Sequence, residues 1–370
     1  MKGSFRLMVS GSVGVTVLFA LVCGVPGSGE LSADGVAMPP RGYAGSIEER
    51  AQEAIIIFHA SETTGDAVED LILKISVEGG ADKFAWVIPF PTEPTVAKED
   101  AKLFRELYDY VEARRQSLSR KKPGTKGAFG GPPSAAAERE AVTVLSRRIV
   151  GTYDVATVRE NVPGALNDWL KTEGYQSLPN AEDVIGFYRK KGYVFSCVKV
   201  SDTALAQTKS AELHPLRFTF KTGGRDGVYF PMRMTGLQRR PFDVNLYVFY
   251  RFWLNDSVSR FGYEHRGFRL RYRDWDSPRC KANGGKAYSS ARRDPFLKDL
   301  AQRIPTVVKL FQKLHPGERY YLTNLYASGL KPGDVRNWAD DLWLFPYYTN
   351  RRFVPYDARA DGCASAAYSH

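Results

Sequence analysis

Apolar and polar residues alternate along the segment that begins at Leu71. Leu71, Leu73, Ile75 and Val77 fall on one side, and Lys74 and Ser76 on the other. A period of two predicts a strand with one dry face and one wet face. "EGGAD" follows as a turn, because glycine accepts positive φ without steric cost. "KFAWVI" is then the returning strand, and Pro89 and Pro91 end it, since proline brings no N–H to a ladder. The same outline returns over 216–234, "LRFTFKTGGRDGVYFPMRM", with Thr222 as one extra residue. Gly223, Gly224 and Asp226 take the places of Gly79, Gly80 and Asp82. Two related β-hairpins are expected, a packing unit used twice, with Trp86 and Phe90 fixing the packing of a sheet. Pro231 predicts an edge or a bulge in the second.

Other stretches extend the pattern. Ile55, Ile56, Ile57 and Phe58 form a continuous apolar run, the mark of a strand buried on both faces. "AVTVLSRRIVGTYDVATVR", "YVFSCVKV", "FDVNLYVFYRFWL", "RYYLTNLYASG" and "DLWLFPYY" add further strands. A helix is predicted over Lys98–Gln116, with Leu103, Phe104, Leu107, Tyr108 and Val111 as its apolar stripe. Glu99 and Asp100 sit at its positive end. "NVPGALNDWLKTEG" predicts a second helix, with Pro163 in its first turn, Leu166, Trp169 and Leu170 as anchors, and Gly174 as its stop. In "NAEDVIGFYRKKG", Asn180 is the expected cap, Asp183 its reciprocal partner and Gly192 the end. A last helix falls between Phe296 and Leu314, interrupted or restarted at Pro305. The sum is an α+β fold of mostly antiparallel sheets with packed helices, with lobes expected at 51–200 and 211–350.

The first 33 residues stand apart. Lys2 and Arg6 precede the uncharged apolar run Val13–Val22, and small, turn-forming residues follow. This is the layout of an export signal, with cleavage near Gly24 or near Ala33. The rival is an uncleaved anchor, because Leu7–Val25 approaches the length of a bilayer span. Val22 stands before Cys23 where a lipoprotein signal has a small residue, which argues against lipidation. The expected location is periplasmic or extracellular, free or tethered at the front. Residues 117–138 read as a flexible surface insert, its stretch "SLSRKKPGTKGAFGGPPSAA" holding only basic charges among Gly, Pro and Ser. Residues 351–370 read as a polar tail. At 43% hydrophobic and 25% charged, the remaining chain has the composition of a folded protein. Removal of 1–33 takes away Lys2, Arg6 and Glu30 and lowers the formal charge from +11 to +10. An exported chain of that charge is drawn to an anionic envelope polymer, a lipid surface or an envelope protein.

Candidate chemistry is sparse. The sequence carries no Gly-rich phosphate loop, no G-x-S-x-G elbow and no H-E-x-x-H zinc helix. His59, His214, His265, His315 and His370 form no close metal-ligand pair, and no cofactor or metal is expected. His214, beside Pro215, and His59, at a strand end, are read as structural. Asp340 and Asp341 are adjacent and share no face, so they form no ready carboxylate dyad. Asp274 and Asp276 share a strand face but carry little weight alone. Cys197 reads as a buried small residue, while Cys280 and Cys363 pair only if the fold brings them together in an oxidising compartment. Arg251, Arg260, Arg266, Arg269, Arg271 and Arg273 interleave with aromatics, but Asp256, Glu264, Asp274 and Asp276 break the positive field. Nucleic acid is therefore not the expected partner.

The run "AQEAIIIF…VEDLILKISVEGGADKFAWVIPFPTEPTV…LFREL" resembles an uncharacterised bacterial exported family, domain of unknown function 2330. "VGTYDVATV", "ALNDWLKTEGY", "YRKKGYVFSCVKV", "LHPLRFTFKT…VYFPMRMT" and "YLTNLYASGLKPGDV" are similar to its continuation, so that one such domain spans about 34–350. The resemblance implies an envelope location and supplies no catalytic or cofactor-binding residue. The function expected is a non-catalytic binding or structural role in the envelope. The alternative is an envelope hydrolase whose site is assembled from distant residues, with His214, Asp70 and Asp154 the first places to look for a close acid–histidine pair.

Overall fold

A computed structural model describes residues 35–44, 51–60, 67–74, 84–118, 141–178, 180–200, 214–224, 227–250, 254, 263–273, 303–315, 320–345, 348–349 and 352–353. Two sheets dominate. The first takes β1 (Val36–Met38), β4 (Ala85–Phe90), β6 (Val142–Val150), β7 (Tyr153–Glu160) and β8 (Val194–Val200), in the order β1-β4-β8-β7-β6. The second takes β2 (Ala51–Ala60), β3 (Ala67–Leu73), β5 (Thr95–Lys98), β9 (Leu216–Lys221), β11 (Phe242–Tyr250), β12 (Arg269–Arg273) and β13 (Tyr321–Leu330). Its order is β12-β13-β11-β2-β3-β9-β5. Every pairing in it is antiparallel except β2 with β11. Two short pairs complete the set: β10 (Val228–Phe230) with β14 (Leu342–Leu344), and β15 (Tyr348–Thr349) with β16 (Arg352–Phe353).

Alternation in the seven-stranded sheet divides two cores. Ala54, Ile56 and Phe58, Leu71 and Leu73, and Phe218 and Phe220 enter one core, which also holds the five-stranded sheet. Phe90 of β4 meets Phe218 and Phe220 across it, with ring centroids 4.9 and 5.1 Å apart. Ile55, Ile57, Ile72, Tyr247 and Phe249 enter the other core, beneath α1 (Lys102–Leu118) and α4 (Pro305–Leu314). The wet face expected for the strand through Leu71 and Leu73 is therefore not found. Ile72 and Asp70 are buried as well, because helices cover the second face.

The expected hairpins are corrected by the pairing. β3 lies between β2 and β9, whereas β4 lies between β1 and β8. The two strands of the first unit thus belong to different sheets. In the second unit β9 pairs with β3 and β5, and β10 pairs with β14. A strand with two apolar faces needs partners on both edges, and these come from afar. Gly79 and Gly80 lie outside the described residues, while Gly223 and Gly224 do take positive φ, 69° and 82°. The seven-stranded sheet also draws strands from both 51–200 and 211–350, so these ranges are not separate lobes with sheets of their own. A true hairpin occurs at β6–β7, turning at Gly151 with φ 59°.

Helices follow their stripes with local exceptions. In α1, Leu103, Phe104, Leu107, Tyr110 and Val111 are buried, while Tyr108 is 47% exposed. Asp100 caps the helix through the Lys102 amide at 2.9 Å. Glu106 of α1 caps α4 in turn, accepting the Thr306 and Val307 amides. α4 starts with Pro305 in its first turn. α2 (Ala165–Thr172) and α3 (Glu182–Lys190) add Leu166, Leu170, Val184, Ile185 and Tyr188 to the inter-sheet core. Gly174 and Gly192 follow them with φ 89° and 71°, as stop signals should. Asn180 does not cap α3. It takes φ 52°, Ala181 holds the cap position, and Asp183 binds Arg336 instead. α5 (Pro332–Arg336) precedes β14. Among the described residues, no helix is long and apolar enough to cross a membrane. The 117–138 insert from residue 119 onward, Cys280, Cys363, Asp274, Asp276 and nearly all of the 351–370 tail lie outside them.

Candidate functional site

β3 carries two adjacent carboxylates, and a strand sends neighbours to opposite faces. Glu69 points into the core between the sheets. One of its oxygens accepts the Tyr229 amide at 2.7 Å; the other has no partner. Burial raises its pKa well above the ordinary carboxylate value. Asp70 points to the helix-covered face, where a cluster forms. His315 Nε2 lies 3.0 Å from Asp70 Oδ2, Arg217 Nη1 donates to Oδ1 at 2.9 Å, and the Thr219 hydroxyl also donates to Oδ1. Arg217 Nε donates to Glu99 at 2.8 Å, and the rings of His59 and His315 stack at 5.5 Å. Burial pushes the Asp70 pKa up, but the bonds from His315, Thr219 and Arg217 outweigh it and hold the carboxyl below its ordinary value. The cluster unites β2, β3 and β9 with the residue that follows α4.

This is the close acid–histidine pair that an assembled site requires, but its histidine is His315 rather than His214. His214 is engaged elsewhere. Its Nε2 accepts the Thr152 amide at 3.2 Å, its Nδ1 lies 3.1 Å from Pro215 O, and burial lowers its pKa. Gly151 makes room for the ring: a Cβ there would stand 2.1 Å from Nε2. Asp154 joins a surface ion network with Arg147, Lys199 and Glu173. Cys197 is buried, and burial drives its thiol pKa up.

A second buried hub lies at Asp341. Its Oδ1 accepts the Tyr188 hydroxyl at 2.8 Å and the Met232 and Arg233 amides at 3.0 and 2.9 Å. Its Oδ2 accepts the Tyr229 hydroxyl at 3.0 Å, and that hydroxyl also reaches Pro89 O at 3.1 Å. The carboxylate thereby ties α3, β10 and β14 to the end of β4. Adjacent Asp340 turns outward to Lys191, 2.6 Å away, as the missing shared face required. Part of the arginine-rich region is used in packing, with Arg271 bonded to Glu112 at 2.7 Å. Sequence reasoning passed over the hub because nothing local marks it. Two acids inside the apolar stretch "VEDLIL" were the available signal for the Asp70 cluster. Among the described residues, no three His, Cys, Asp or Glu side chains are grouped to hold a metal ion.

The model of the family described as "Uncharacterized protein conserved in bacteria (DUF2330)" matches residues 59–315. The chain belongs to this family. The DUF2330 segment runs from His59 at the end of β2 to His315 after α4, and so holds every member of the Asp70 cluster. β13 and Asp341 lie beyond it, whereas Tyr188, Tyr229, Met232 and Arg233, which donate to Asp341, lie within it. No curated protein matches the chain. Among solved structures, baculovirus P35 is similar at 15% identity with a TM-score of 0.33, over 61% of this chain and 70% of that one. At that distance the likeness carries no functional argument.

Proposed function

We propose that the chain is an exported envelope protein with a binding or structural role rather than a catalytic one. The charged start and apolar run at Val13–Val22 support export. One observation chiefly supports the role: Asp341, Asp70 and His214 are engaged by the protein's own groups. Asp341 takes four hydrogen bonds, Asp70 takes three, and His214 uses both ring nitrogens. Such groups join sheets to helices and leave the exterior to meet partners. The net positive charge favours an anionic envelope polymer, a lipid surface or an acidic face of an envelope protein. The test is fractionation of cells that express the full chain with a C-terminal tag. The expected product sits in the envelope fraction and is released by high salt. Intact, untethered chain in the cytosol would overturn the proposal.

A hydrolase remains the second reading, favoured by the 3.0 Å contact between His315 and Asp70. In it Asp70 orients His315, whose Nδ1 takes a proton from the attacking group. His315→Asn would then abolish turnover of an ester or amide panel without changing the melting curve. In the first reading it alters stability alone.

A further inference from the structure

Around the Asp340–Asp341 turn the fold sets two guanidinium groups on aromatic rings. The Arg233 Cζ lies 4.0 Å from the centre of the Phe187 ring, and the Arg266 Cζ lies 4.6 Å from the centre of Trp338. Lys191 Nζ lies 4.4 Å from the same Phe187 ring. All five side chains are half-buried. They come from α3 and the turn after it, the segment after β10, the 3-10 turn Tyr263–Arg266 and the segment after α5. Unlike Arg147, Arg189, Arg217 and Arg336, neither Arg233 nor Arg266 forms an ion pair with a carboxylate among the described residues. Arg233 spends Nε on the Arg336 carbonyl at 3.1 Å, and Arg266 makes no hydrogen bond to the described residues.

The carboxylates nearby are already occupied. Asp341 faces inward to its two tyrosines and two amides, and Asp340 holds Lys191. Burial lowers the Arg266 pKa, and the Arg233 charge lowers it further against the pull of Asp340 and Asp341. The fold thus keeps two like charges within range of each other in a partly dry place. Their planar forks are held against aromatic faces, which fixes their orientation before any ligand arrives. Two guanidinium forks in one neighbourhood, with an ammonium on the same ring as the first, supply the kind of donors that a tetrahedral oxyanion takes.

We propose that Arg233 and Arg266, assisted by Lys191, form a binding site for a phosphate group, as a phosphomonoester or phosphodiester. The proposal deepens the envelope-binding reading and rests on it, by naming the contact chemistry. The phosphate belongs to a lipid headgroup or to a soluble phosphate compound, and both present the same oxygens.

The test uses the chain without residues 1–33, titrated calorimetrically with inorganic phosphate at low salt. In parallel it is sedimented with vesicles of phosphatidylcholine alone and with added phosphatidylglycerol. Arg266→Gln and Arg233→Gln should each weaken phosphate binding at least tenfold. Arg105→Gln, at a side chain 87% exposed, should leave it within twofold. Arg266→Lys keeps the charge without the fork and should fall between, which keeps the test decisive if the Gln variant does not fold. Retention on phosphatidylglycerol vesicles that is lost in the arginine variants assigns the lipid source. Phosphate binding without vesicle binding assigns the soluble source. Equal losses in Arg105→Gln and Arg266→Gln would overturn the site in favour of diffuse charge. Sedimentation with envelope material in the absence of phosphate binding would overturn the site while leaving the envelope role standing; failure of both would remove both.

Discussion

Asp341 offers a substitution whose outcome depends on which oxygen does what. In Asp341→Ala the acceptor of four donors disappears. The Tyr229 hydroxyl still has Pro89 O at 3.1 Å, so three donors lose their partner: the Tyr188 hydroxyl and the Met232 and Arg233 amides. An unsatisfied buried donor costs about 1–3 kcal/mol, which puts the loss at about 3–9 kcal/mol. The upper part exceeds what single substitutions ordinarily cost, so about 4 kcal/mol is expected. Asp341→Asn behaves differently. It retains Oδ1, the atom that takes all three of those donors. Its Nδ2 replaces Oδ2 beside Tyr229, whose hydroxyl then donates to Pro89 O and accepts from the new amide. Burial raises the Asp341 pKa, so removing the charge also relieves a desolvation cost. The Asn variant should lose about 1 kcal/mol or less. Urea unfolding of the chain without residues 1–33, with the slope compared between variants, measures both. The reasoning fails if the Ala variant stays within about 1 kcal/mol of the parent, or if Asn is as damaging as Ala.

Three further expectations concern other parts of the fold. Trp86 is fully buried between the sheets, so Trp86→Ala should cost about 3–5 kcal/mol, and a near-native melting curve would contradict its role. Gly151→Ala combines φ 59° with a Cβ 2.1 Å from His214 Nε2 and should cost at least about 2 kcal/mol. Adding His214→Ala should return part of that loss in a double-mutant cycle; strict additivity would refute the contact. Burial raises the Glu53 pKa from 4.5 to about 7, so the folded chain keeps a proton that the unfolded chain releases between those values. Stability should therefore fall by about 3 kcal/mol as pH rises from 4.5 to 7. In Glu53→Gln that slope should flatten, as measured by denaturation across this range.

Strand and helix positions were largely legible because their periods are local. The stripe of α1 and the stops at Gly174 and Gly192 follow from spacing and from glycine's conformational freedom. Tyr108 was misplaced: the buried stripe is Leu103, Phe104, Leu107, Tyr110 and Val111, so Tyr110 takes its place. Pairing was not legible. Nothing within 73–91 says that β3 meets β9 and β4 meets β8, since both edges of a two-faced strand look alike in sequence. The Asp70 cluster was hidden for the same reason: His315 stands 245 residues away, and only the fold sets it beside the carboxylate. The closeness of Gly151 to His214 likewise joins two segments that carry no shared motif.

The parallel contact between β2 and β11 has a consequence for synthesis. By residue 200 the nascent polypeptide holds every strand of the five-stranded sheet, whereas β2 and β3 still lack their outer neighbours, β11 and β9. A ribosome pausing there would display half a sandwich: one finished layer with a greasy underside, and a two-strand ribbon bare along both rims. Ribbons of that kind stick to one another. Completion waits for contacts almost 200 residues apart, which slows the search and lengthens the exposure. Release of residues 216–250, which carry β9 and β11, rather than of the first apolar strand, is the event that lets β2 and β3 close.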